Sequence, residues 1–589
     1  MSVADPTDMA APSSTIQTGD VDHEDKYAVM DDFFKFPTAH VYEHDPDRYS
    51  ELVPPARFLD EIRMIRLMQT IIEKPNWHVK LHDDTIRQRW LQEAEDQNIR
   101  SEIAQYALKE LEWCATVRNN TTGIEPAGID FIWKSDKLID SGLHDAFAQN
   151  VHKLEKALPE DFHPGSDGQV KNLIHPSLFC LVYGESVDND GKKIQQPEWL
   201  EKIVELTNPR YYNRVQRPHP KLFSHRYQWL PAEFLVDGDN STKIASYING
   251  LPVHVEGSPE MYQILVEIFQ RTVPLFENVL SSLFIHHGLV RFPKPYTYDW
   301  WAEHGGEPPS IPDEITIQLL EDSRQKGLGW QSGLRKYWEE HFNPLPPPIP
   351  EFNVKSPPLN VAESDKIRLG GHRLQVITKI GSILLTPERP DYSGGNWHVE
   401  GMANERIVAT AIYYFDSENI EGDRLEFRQA VELDTYDFAQ DDDPGAHLIW
   451  GLHRDEGLVQ DLGGLSTSEG RVIVFPNIYQ HAISPFSLKD KTKPGHRSIL
   501  VFFLVDPTER ITSTAHVPPQ DPSWFMAETV DKMKKLFPVE LQWEVQKSLS
   551  PMTRKSAEEH RLKLMEERTY ATDAVTNEVF MRPFNLCEH

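Results

Sequence analysis

The sequence predicts an α+β fold in which a helix-rich N-terminal part precedes a sandwich or jelly roll of short strands with flanking helices. Apolar residues recur at helical spacing between residues 55 and 160. From residue 374 onward, short apolar runs are separated by Gly, Pro and Asp, which is typical of a sandwich or jelly roll. A charged helical pattern returns over residues 522–571, which predicts helices that pack outside the β core.

The overall composition is that of a globular protein, with 589 residues, of which 39% are hydrophobic and 26% are charged. The net charge of −31 argues against non-specific binding to nucleic acid or to an anionic membrane, because the long-range field repels phosphate. Cys114, Cys180 and Cys587 lie far apart and give no disulfide framework. With no secretory signal and no bilayer-length apolar run, we expect an intracellular protein, cytoplasmic or nuclear.

Composition and pattern divide the chain into four regions. Residues 1–35 are rich in Asp, Ser, Thr, Ala and Pro, and they predict a disordered tail. Residues 36–345 predict a helix-rich N-terminal domain, which ends near the proline-rich stretch 343–350, a stiff segment typical of a linker. We expect the jelly roll over residues 360–525 and a helical extension over residues 526–589.

Two helices are predicted with particular clarity. Ser258 is suited to an N-cap, Pro259 to the first helical position and Glu260 to the first turn. We expect Pro274 to kink or end that helix. An earlier helix is indicated by five apolar residues at helical spacing, namely Phe58, Ile62, Ile65, Met68 and Ile72.

The strands are predicted from apolar runs that are bounded by turn residues. Each run is short and rich in β-branched or aromatic side chains, which favour strands. The predicted runs are Leu374 to Ile380, Ile383 to Leu385, Ile407 to Phe415, Leu425 to Phe427, Arg471 to Phe475 and Ile499 to Val505.

Two short strings carry the residues of a candidate metal site. The string Gly-Asn-Trp-His-Val-Glu contains His398 and ends at Glu400. These two side chains share one face if the segment is extended. The string Phe-Pro-Asn-Ile-Tyr-Gln-His ends in His481, 83 residues after His398, and it follows another strand-like run. Two histidines and one carboxylate form the facial triad of non-heme Fe(II) oxygenases, so these three residues are the predicted metal ligands.

A second His-x-Glu pair, His254 and Glu256, competes with this interpretation. It precedes the predicted helix at Ser258 and has no strand-like run after it, whereas the pair at His398 has both a strand and a distal histidine. We therefore favour the later pair. The remaining alternative is that these histidines are ordinary buried or surface residues.

Arg497 is the fourth candidate site residue. It opens a predicted buried strand 16 residues after His481, and an arginine charge in such a position needs a partner. The guanidinium group can bind a carboxylate through two hydrogen bonds, so the far carboxylate of an iron-chelating keto acid would satisfy it. A structural ion pair with an acidic residue of the chain is the alternative.

These strings resemble the double-stranded β-helix of Fe(II)/2-oxoglutarate-dependent dioxygenases. Gly422 to Phe427 is similar to a Gly-Gly-x-Leu-x-Phe strand of that family, and Arg497 matches its 2-oxoglutarate arginine by position. Two departures are that Glu400 stands where Asp is usual and that Arg497 lacks an Arg-x-Ser pattern. The resemblance implies Fe(II), 2-oxoglutarate and O2 as cofactors and co-substrate.

From about residue 40 the chain also resembles a fungal family, domain of unknown function 4246. That resemblance implies an N-terminal helical part and a C-terminal catalytic part, and it supplies no substrate. The matching strings are Glu61 to Met64, Lys74 to His78, Tyr227 to Pro231, Trp397 to Met402 and Val517 to Gln520.

We therefore expect an Fe(II)/2-oxoglutarate-dependent oxygenase that hydroxylates or desaturates a small molecule or peptide. Two alternatives remain open at this point: a jelly-roll binding or scaffold protein without turnover, and a cupin-like metalloenzyme that does not use 2-oxoglutarate. Stoichiometric metal binding separates the first alternative from an enzyme, and the requirement for Arg497 separates the second. The sequence indicates no nucleic-acid partner, and it does not predict an oligomeric state.

Overall fold

The computed structural model of the chain describes residues 28–30, 36–40, 53–198, 200, 220–286, 290–292, 311–327, 332–341, 349–353, 361–433, 443–521, 524, 538, 541, 552–584 and 586. The tail predicted over residues 1–35 lies outside the described residues, apart from residues 28–30. The linker predicted over residues 343–350 also lies outside them, apart from its last two positions. Most of residues 526–551, and Cys587, also lie outside the described residues.

Helices dominate the part of the chain that precedes the jelly roll. They are α1 (Leu59–Ile72), α2 (Trp77–Lys80), α3 (Asp84–Glu95), α4 (Ser101–Val117), α5 (Ser141–Ala157), α6 (Ser258–His286), α7 (Asp313–Gln325) and α8 (Ser332–His341). A short turn of helix, Asp443–Gly445, continues into a π-helix, Ala446–Trp450. Helix α9 (Arg554–Val575) likewise continues into a π-helix, Thr576–Phe580. Among the described residues, no helix combines the length and the apolar character that crossing a bilayer requires.

Short strands accompany these helices in the N-terminal part. They are β1 (Glu125–Pro126), β2 (Trp133–Ser135), β3 (Asp161–Phe162), β4 (Val170–Ile174), β5 (Leu181–Val182), β6 (Tyr227–Gln228), β7 (Ala232–Val236) and β8 (Thr242–Ile244). The jelly roll follows with β9 (Arg373–Leu385), β10 (Asp391–Tyr392), β11 (Ile407–Glu418), β12 (Ile420–Glu421), β13 (Arg424–Ala430), β14 (Val459–Ser466), β15 (Val472–Pro476), β16 (Gln480–Ile483), β17 (Phe486–Leu488) and β18 (Gly495–Val505).

The jelly-roll strands form antiparallel sheets. In the main sheet β15, β11, β18 and β9 are neighbours in that order, in the facing sheet β14, β13 and β16 are neighbours, and β10, β17 and β12 form a separate three-stranded sheet. The sheets enclose an apolar core, in which the ring centroids of Phe427 on β13 and Phe475 on β15 lie 5.1 Å apart. This strand order confirms the predicted α+β fold with a double-stranded β-helix.

Strands from the N-terminal part extend the main sheet at both edges. Strand β2 pairs with β15 at one edge, while β4 and β7 pair with β9 at the other. Strands β15 and β9 are therefore not free edges of the main sheet, which protects them from pairing with another chain. The sheet and its core cross the boundary that we predict near residues 343–350, and the domain limits themselves stay a prediction.

The predicted strand runs fall within strands of the structure, except that Arg471 lies one residue before β15, and two further differences concern β9 and β14. Residues 374–380 and 383–385 belong to one strand, β9, because Gly381 continues the extended backbone between them. A Cβ atom at Gly381 would lie 3.1 Å from the carbonyl oxygen of Lys171, so glycine here permits the close approach of β4. Strand β14 is absent from the prediction because it contains Gly463 and Gly464, and glycine is rare in strands.

The predicted helix start at Ser258 is also observed, but the helix does not end at Pro274. Helix α6 runs on to His286 with the proline inside it. Val273, Leu275 and Phe276 on either side of the proline are fully buried, and their burial offsets the lost backbone hydrogen bond. Helix α6 packs on the outer face of the main sheet, where the ring centroids of Phe269 and Phe502 lie 5.3 Å apart.

A buried cluster of five charged side chains joins the helices to the turn that precedes β2. Arg291 contacts Glu110 at 2.7 Å and Asp130 at 2.5 Å, and Arg57 contacts Glu61 at 2.5 Å and Asp130 at 2.8 Å. All five side chains are at most 2% exposed. Burial raises the pKa of Glu110 even though Arg291 opposes it. The two arginines therefore hold three carboxylates in a setting where an unpaired charge would be costly.

We expect Arg291→Met to lower the free energy of unfolding by about 3–5 kcal/mol, because it leaves buried carboxylates without their counter-charge. Urea denaturation followed by circular dichroism measures the effect. Arg63→Met is the matched control, since Arg63 is 47% exposed and pairs with Asp60 on the surface of α1. We expect the control to change stability by less than about 1 kcal/mol. Equal losses in both variants would contradict a structural role for the buried cluster.

Candidate metal centre

The segment that carries His398 lies alongside β16 as an added piece of the facing sheet. Gly394 has a φ of +90°, and a Cβ atom there would lie 2.9 Å from the carbonyl oxygen of Ile483. Gly395 donates a backbone hydrogen bond of 2.9 Å to the same oxygen. The two glycines therefore bring the chain against β16, where His398 and His481 form an antiparallel bridge with backbone bonds of 3.1 and 3.0 Å.

This pairing brings the three predicted metal ligands together. One ligand atom from each of His398, Glu400 and His481 lies within 4.8 Å of the others. Glu400 Oε1 is 3.3 Å from His481 Nε2 and 3.8 Å from His398 Nε2. The His481 side chain is 4% exposed and that of His398 is 39% exposed, so the cluster opens on the His398 side.

The imidazoles are oriented with Nε2 toward the carboxylate. His398 Nδ1 lies 2.8 Å from the carbonyl oxygen of Asn396, so Nδ1 carries the proton and Nε2 presents its lone pair. His481 Nδ1 is buried and has no hydrogen-bond partner among the described residues. Two imidazole nitrogens and one carboxylate oxygen that face a common point fit the facial donor set of a non-heme iron site.

The protonation states suit metal binding. Burial, together with the neighbouring His481, lowers the pKa of His398 to about 4. Burial alone would raise the pKa of Glu400, but the hydrogen bond with His481 and the electrostatic effect of the two nearby imidazoles outweigh it and lower the pKa to about 2. At neutral pH His398 is therefore neutral and Glu400 is ionised, which are the forms that coordinate metals.

Asn477 holds the backbone of the ligand segment in place. Its side-chain oxygen accepts a 2.9 Å hydrogen bond from the backbone N–H of Glu400, and its amide nitrogen donates 3.0 Å bonds to the carbonyl oxygens of Glu400 and Ile407. Asn477 is fully buried. The Phe-Pro-Asn string of the sequence thus contains a clamp that fixes the peptide at Glu400, a role that the string alone does not indicate.

The outer side of the metal segment rests on the C-terminal helix. Val399 and Ala430 are buried in one apolar cluster with Val575 and Phe580. Next to them, the side chain of Gln480 donates a 2.9 Å hydrogen bond to the hydroxyl of Thr576. Helix α9 and its π-helical continuation therefore support the strand that carries His481 from outside the sheet.

Arg497 lines the same pocket from β18. Its guanidinium group is 1% exposed and lies between the rings of Phe486 and Tyr414, at 5.2 and 5.5 Å from their centroids. Nη1 is 3.2 Å from the hydroxyl of Thr467 and 3.5 Å from a carboxylate oxygen of Asp423. Nε and Nη2 have no partner in the part of the chain that the structure describes. The pairing with Asp423 thus leaves two buried donors unsatisfied, which is unusual in a folded protein.

The pocket that joins these groups has a volume of about 290 Å³. Its walls include His398, Glu400, His481 and Arg497, with apolar side chains from β9, β11 and β18 between them. The structure thus gathers all four predicted site residues around one cavity, while their roles as ligands stay a prediction. His254 and Glu256 are exposed in the turn before α6, and they take no part in this cluster.

Three further polar residues in the pocket were not predicted. Lys379 comes from β9, Asn172 from β4 and His163 from the turn after β3. Lys379 is a charged residue inside the strand-like run Leu374 to Ile380. A charge in such a run is also what identifies Arg497, so the same argument predicts a special role for Lys379. Asn172 and His163 carry no such signal, because they reach the pocket only through the pairing of β4 with β9.

Comparisons with solved structures return weak likenesses. A bsmA homolog from Methylobium petroleophilum PM1 is 14% identical, with a TM-score of 0.15, over 36% of this chain and 61% of that one. IDO from Bacillus thuringiensis is 12% identical, with a TM-score of 0.13, over 22% and 45%. The Fe(II)/α-ketoglutarate-dependent dioxygenase TqaL is 10% identical, with a TM-score of 0.20, over 63% and 92%. The chain thus spans less than two thirds of the length of the first two structures. The fold described above is inferred from the strand order of this chain and not from these likenesses.

A comparison with curated proteins finds no match. Two family models do match, and together they span most of the sequence. "Domain of unknown function DUF4246, N-terminal" matches residues 15–93, and "Protein of unknown function (DUF4246)" matches residues 101–528. The second match alone covers more than half of the chain, so the chain belongs to the DUF4246 family.

Proposed function

We propose that the chain is an Fe(II)- and 2-oxoglutarate-dependent oxygenase that hydroxylates or desaturates a small molecule or peptide. One observation carries the proposal. Three side chains of the facial-triad type have ligand atoms within 4.8 Å of one another, in the same pocket as a buried arginine with two unpaired donors. The buried free cysteines Cys114 and Cys180 accord with the reducing cytoplasmic or nuclear setting that we propose.

His398, Glu400 and His481 would hold the iron. Three protein ligands on one side of the ion leave the opposite positions open for the keto acid and oxygen. Bound iron and keto acid would supply the oxidation itself: O2 and 2-oxoglutarate would give succinate and CO2, and the second oxygen atom would enter a substrate C–H bond in hydroxylation or leave as water with two substrate hydrogens in desaturation. The contribution of the chain is to fix the three ligands through Asn477 and the bridge to β16.

Arg497 would bind the far carboxylate of the keto acid. Nε and Nη2 are the two unpaired nitrogens, and they form one edge of the planar guanidinium group. That edge matches a carboxylate, which can accept both hydrogen bonds at once. The flanking rings of Phe486 and Tyr414 exclude water, so the pair would form in a setting of low dielectric.

Succinate formation tests the proposal directly. We expect the purified full chain to form succinate from 2-oxoglutarate only when Fe(II) and O2 are present, and His398→Ala to abolish that activity. Equal succinate formation by both proteins would exclude this site as the catalyst. Metal binding without keto-acid turnover would instead favour the scaffold or cupin-like alternative.

We expect His398→Ala to weaken Mn(II) binding, used as a stand-in for Fe(II), by about 100-fold or more, because it removes one of three ligands. Calorimetric titration of the apoprotein with Mn(II) measures the affinity. His254→Ala is the matched control, since it removes the histidine of the other His-x-Glu pair from an exposed turn. Loss of Mn(II) binding in the control variant alone would move the metal site to that turn.

We expect Arg497→Met to weaken 2-oxoglutarate binding to the Mn(II)-loaded protein by about 100-fold or more, because two charge-assisted hydrogen bonds are lost. Its Mn(II) affinity should stay unchanged, since Arg497 does not contact the proposed ligands. Arg89→Met serves as the control for charge, because Arg89 is 79% exposed on α3. Full 2-oxoglutarate affinity in Arg497→Met would favour a structural role for the arginine with Asp423.

We expect Asn477→Ala to reduce Mn(II) affinity by about 10- to 100-fold, because residues that orient metal ligands contribute to this extent. Asn477→Asp should behave similarly, since a carboxylate cannot donate to the carbonyl oxygens of Glu400 and Ile407. Calorimetry gives the affinity, and circular dichroism checks that the variants are folded. A folded Asn477→Ala variant with full Mn(II) affinity would show that the bridge to β16 suffices to position Glu400.

A further inference from the structure

Lys379 is a second cation in the pocket, and it lies away from Arg497. On β9 the cavity is lined by Lys379, Gly381, Ser382 and Ile383, of which Lys379, Gly381 and Ile383 alternate along the strand and so share one face. Lys379 pairs with Val501 of β18, four residues beyond Arg497 on the same strand. At about 3.4 Å per residue, the two cations start from backbone positions about 14 Å apart along the strand direction.

The ammonium group of Lys379 has no hydrogen-bond or ion-pair partner within the described ranges of the chain. Burial lowers the pKa of Lys379, and the charge of Glu400 opposes that effect only in part. A charge in this position is costly unless something pairs with it. A metal bound by Glu400 would take up the negative charge of that carboxylate, which leaves Lys379 without a counter-charge of its own.

Asn172 offers an unpaired acceptor beside Lys379. It pairs with Gly381 across the β4–β9 ladder, two residues from the lysine, and is 5% exposed. Its amide nitrogen donates a 3.1 Å bond to Asp161, while its side-chain oxygen has no partner in the described structure. A Cβ atom at Gly381 would lie 4.0 Å from that oxygen, so the glycine keeps this side of the oxygen free of a side chain.

His163 also lines this end of the pocket, and its side chain is uncharged at neutral pH. Burial, together with the nearby charge of Lys379, lowers the pKa of His163 to about 4. At neutral pH it therefore adds no second charge that would compete for an anion. This end of the cavity thus presents one cation and one acceptor oxygen, and the keto acid proposed above would occupy the Arg497 end.

We propose that Lys379 binds a carboxylate of the primary substrate and that Asn172 accepts a hydrogen bond from an N–H or O–H group of the same molecule. The substrate is then a small carboxylic acid that carries a neighbouring amino, amide or hydroxyl group. A cavity of about 290 Å³, part of which holds the keto acid, suits such a compound better than a protein segment. This inference rests on the proposed function, because it assigns the Arg497 end to 2-oxoglutarate.

Binding of short acids to the loaded protein tests the inference without turnover. The full chain is loaded with Mn(II) and 2-oxoglutarate and titrated by calorimetry with a panel of short aliphatic acids, unsubstituted, hydroxylated or N-acylated, and with their primary amides. We expect hydroxylated or acylated acids to bind and their amides to bind about 10- to 100-fold more weakly. We expect Lys379→Met to reduce acid binding by the same factor, and Asn172→Ala to remove the preference for substituted acids.

Two controls distinguish a specific site from a loss of folding or of the metal centre. Lys379→Met should keep Mn(II) and 2-oxoglutarate affinities within about twofold and should not lower Tm, because methionine removes an unpaired charge from a half-buried side chain. Lys493→Met, which removes a 73% exposed lysine, should bind the acids like the unaltered chain.

The inference is overturned if no acid binds, if amides bind as well as acids, or if Lys379→Met binds acids like the unaltered chain. It is also overturned if Lys379→Met loses Mn(II) or 2-oxoglutarate, since the lysine would then serve the metal centre. Failure of the unaltered chain to bind Mn(II) and 2-oxoglutarate contradicts the proposed function instead.

Discussion

The antiparallel bridge between His398 and His481 is the constraint on which the candidate site depends. Two backbone hydrogen bonds, of 3.1 and 3.0 Å, join segments that are 83 residues apart in the chain. The bridge sets both imidazoles side by side, and the two-residue period of an extended segment then turns Glu400 toward them. The side chain of Asn477 forms hydrogen bonds with both the backbone N–H and the backbone C=O of Glu400. These bonds fix the backbone that carries the carboxylate.

The turn that leads to His481 is anchored from several directions. Tyr479 donates a 2.9 Å hydrogen bond to the carbonyl oxygen of Asp130, a member of the buried charge cluster, and Gln480 binds Thr576 after α9. Elements from the beginning, middle and end of the described chain therefore meet at one short turn. Such support is what a metal site requires, because small displacements of a ligand weaken coordination. The N-terminal strands add to it, since β4 forms part of the pocket wall as well as an edge of the sheet.

Local patterns in the sequence predict the parts of this arrangement that depend on local chemistry. The apolar runs predict β9, β11, β13, β15 and β18, and the His-x-Glu and distal histidine strings predict which side chains meet. A charge inside an apolar run predicts the place of Arg497, and the same criterion applies to Lys379. The pairing of β4 with β9 is different, because it joins residues about 210 positions apart whose partners no local pattern specifies. For that reason Asn172 and His163 could not be placed in the pocket from the sequence, and the clamp by Asn477 could not be distinguished from an ordinary turn.

The position of α9 has a consequence for how the chain matures. Thr576 lies 96 residues after Gln480, so a ribosome that adds about 5–20 residues per second needs roughly 5–20 s to supply it. During that interval Val399 and Ala430 lack Val575 and Phe580, two of the apolar side chains that cover them in the native structure. The outer support of the ligand segment is therefore completed only after the strand that carries His481 has been synthesised.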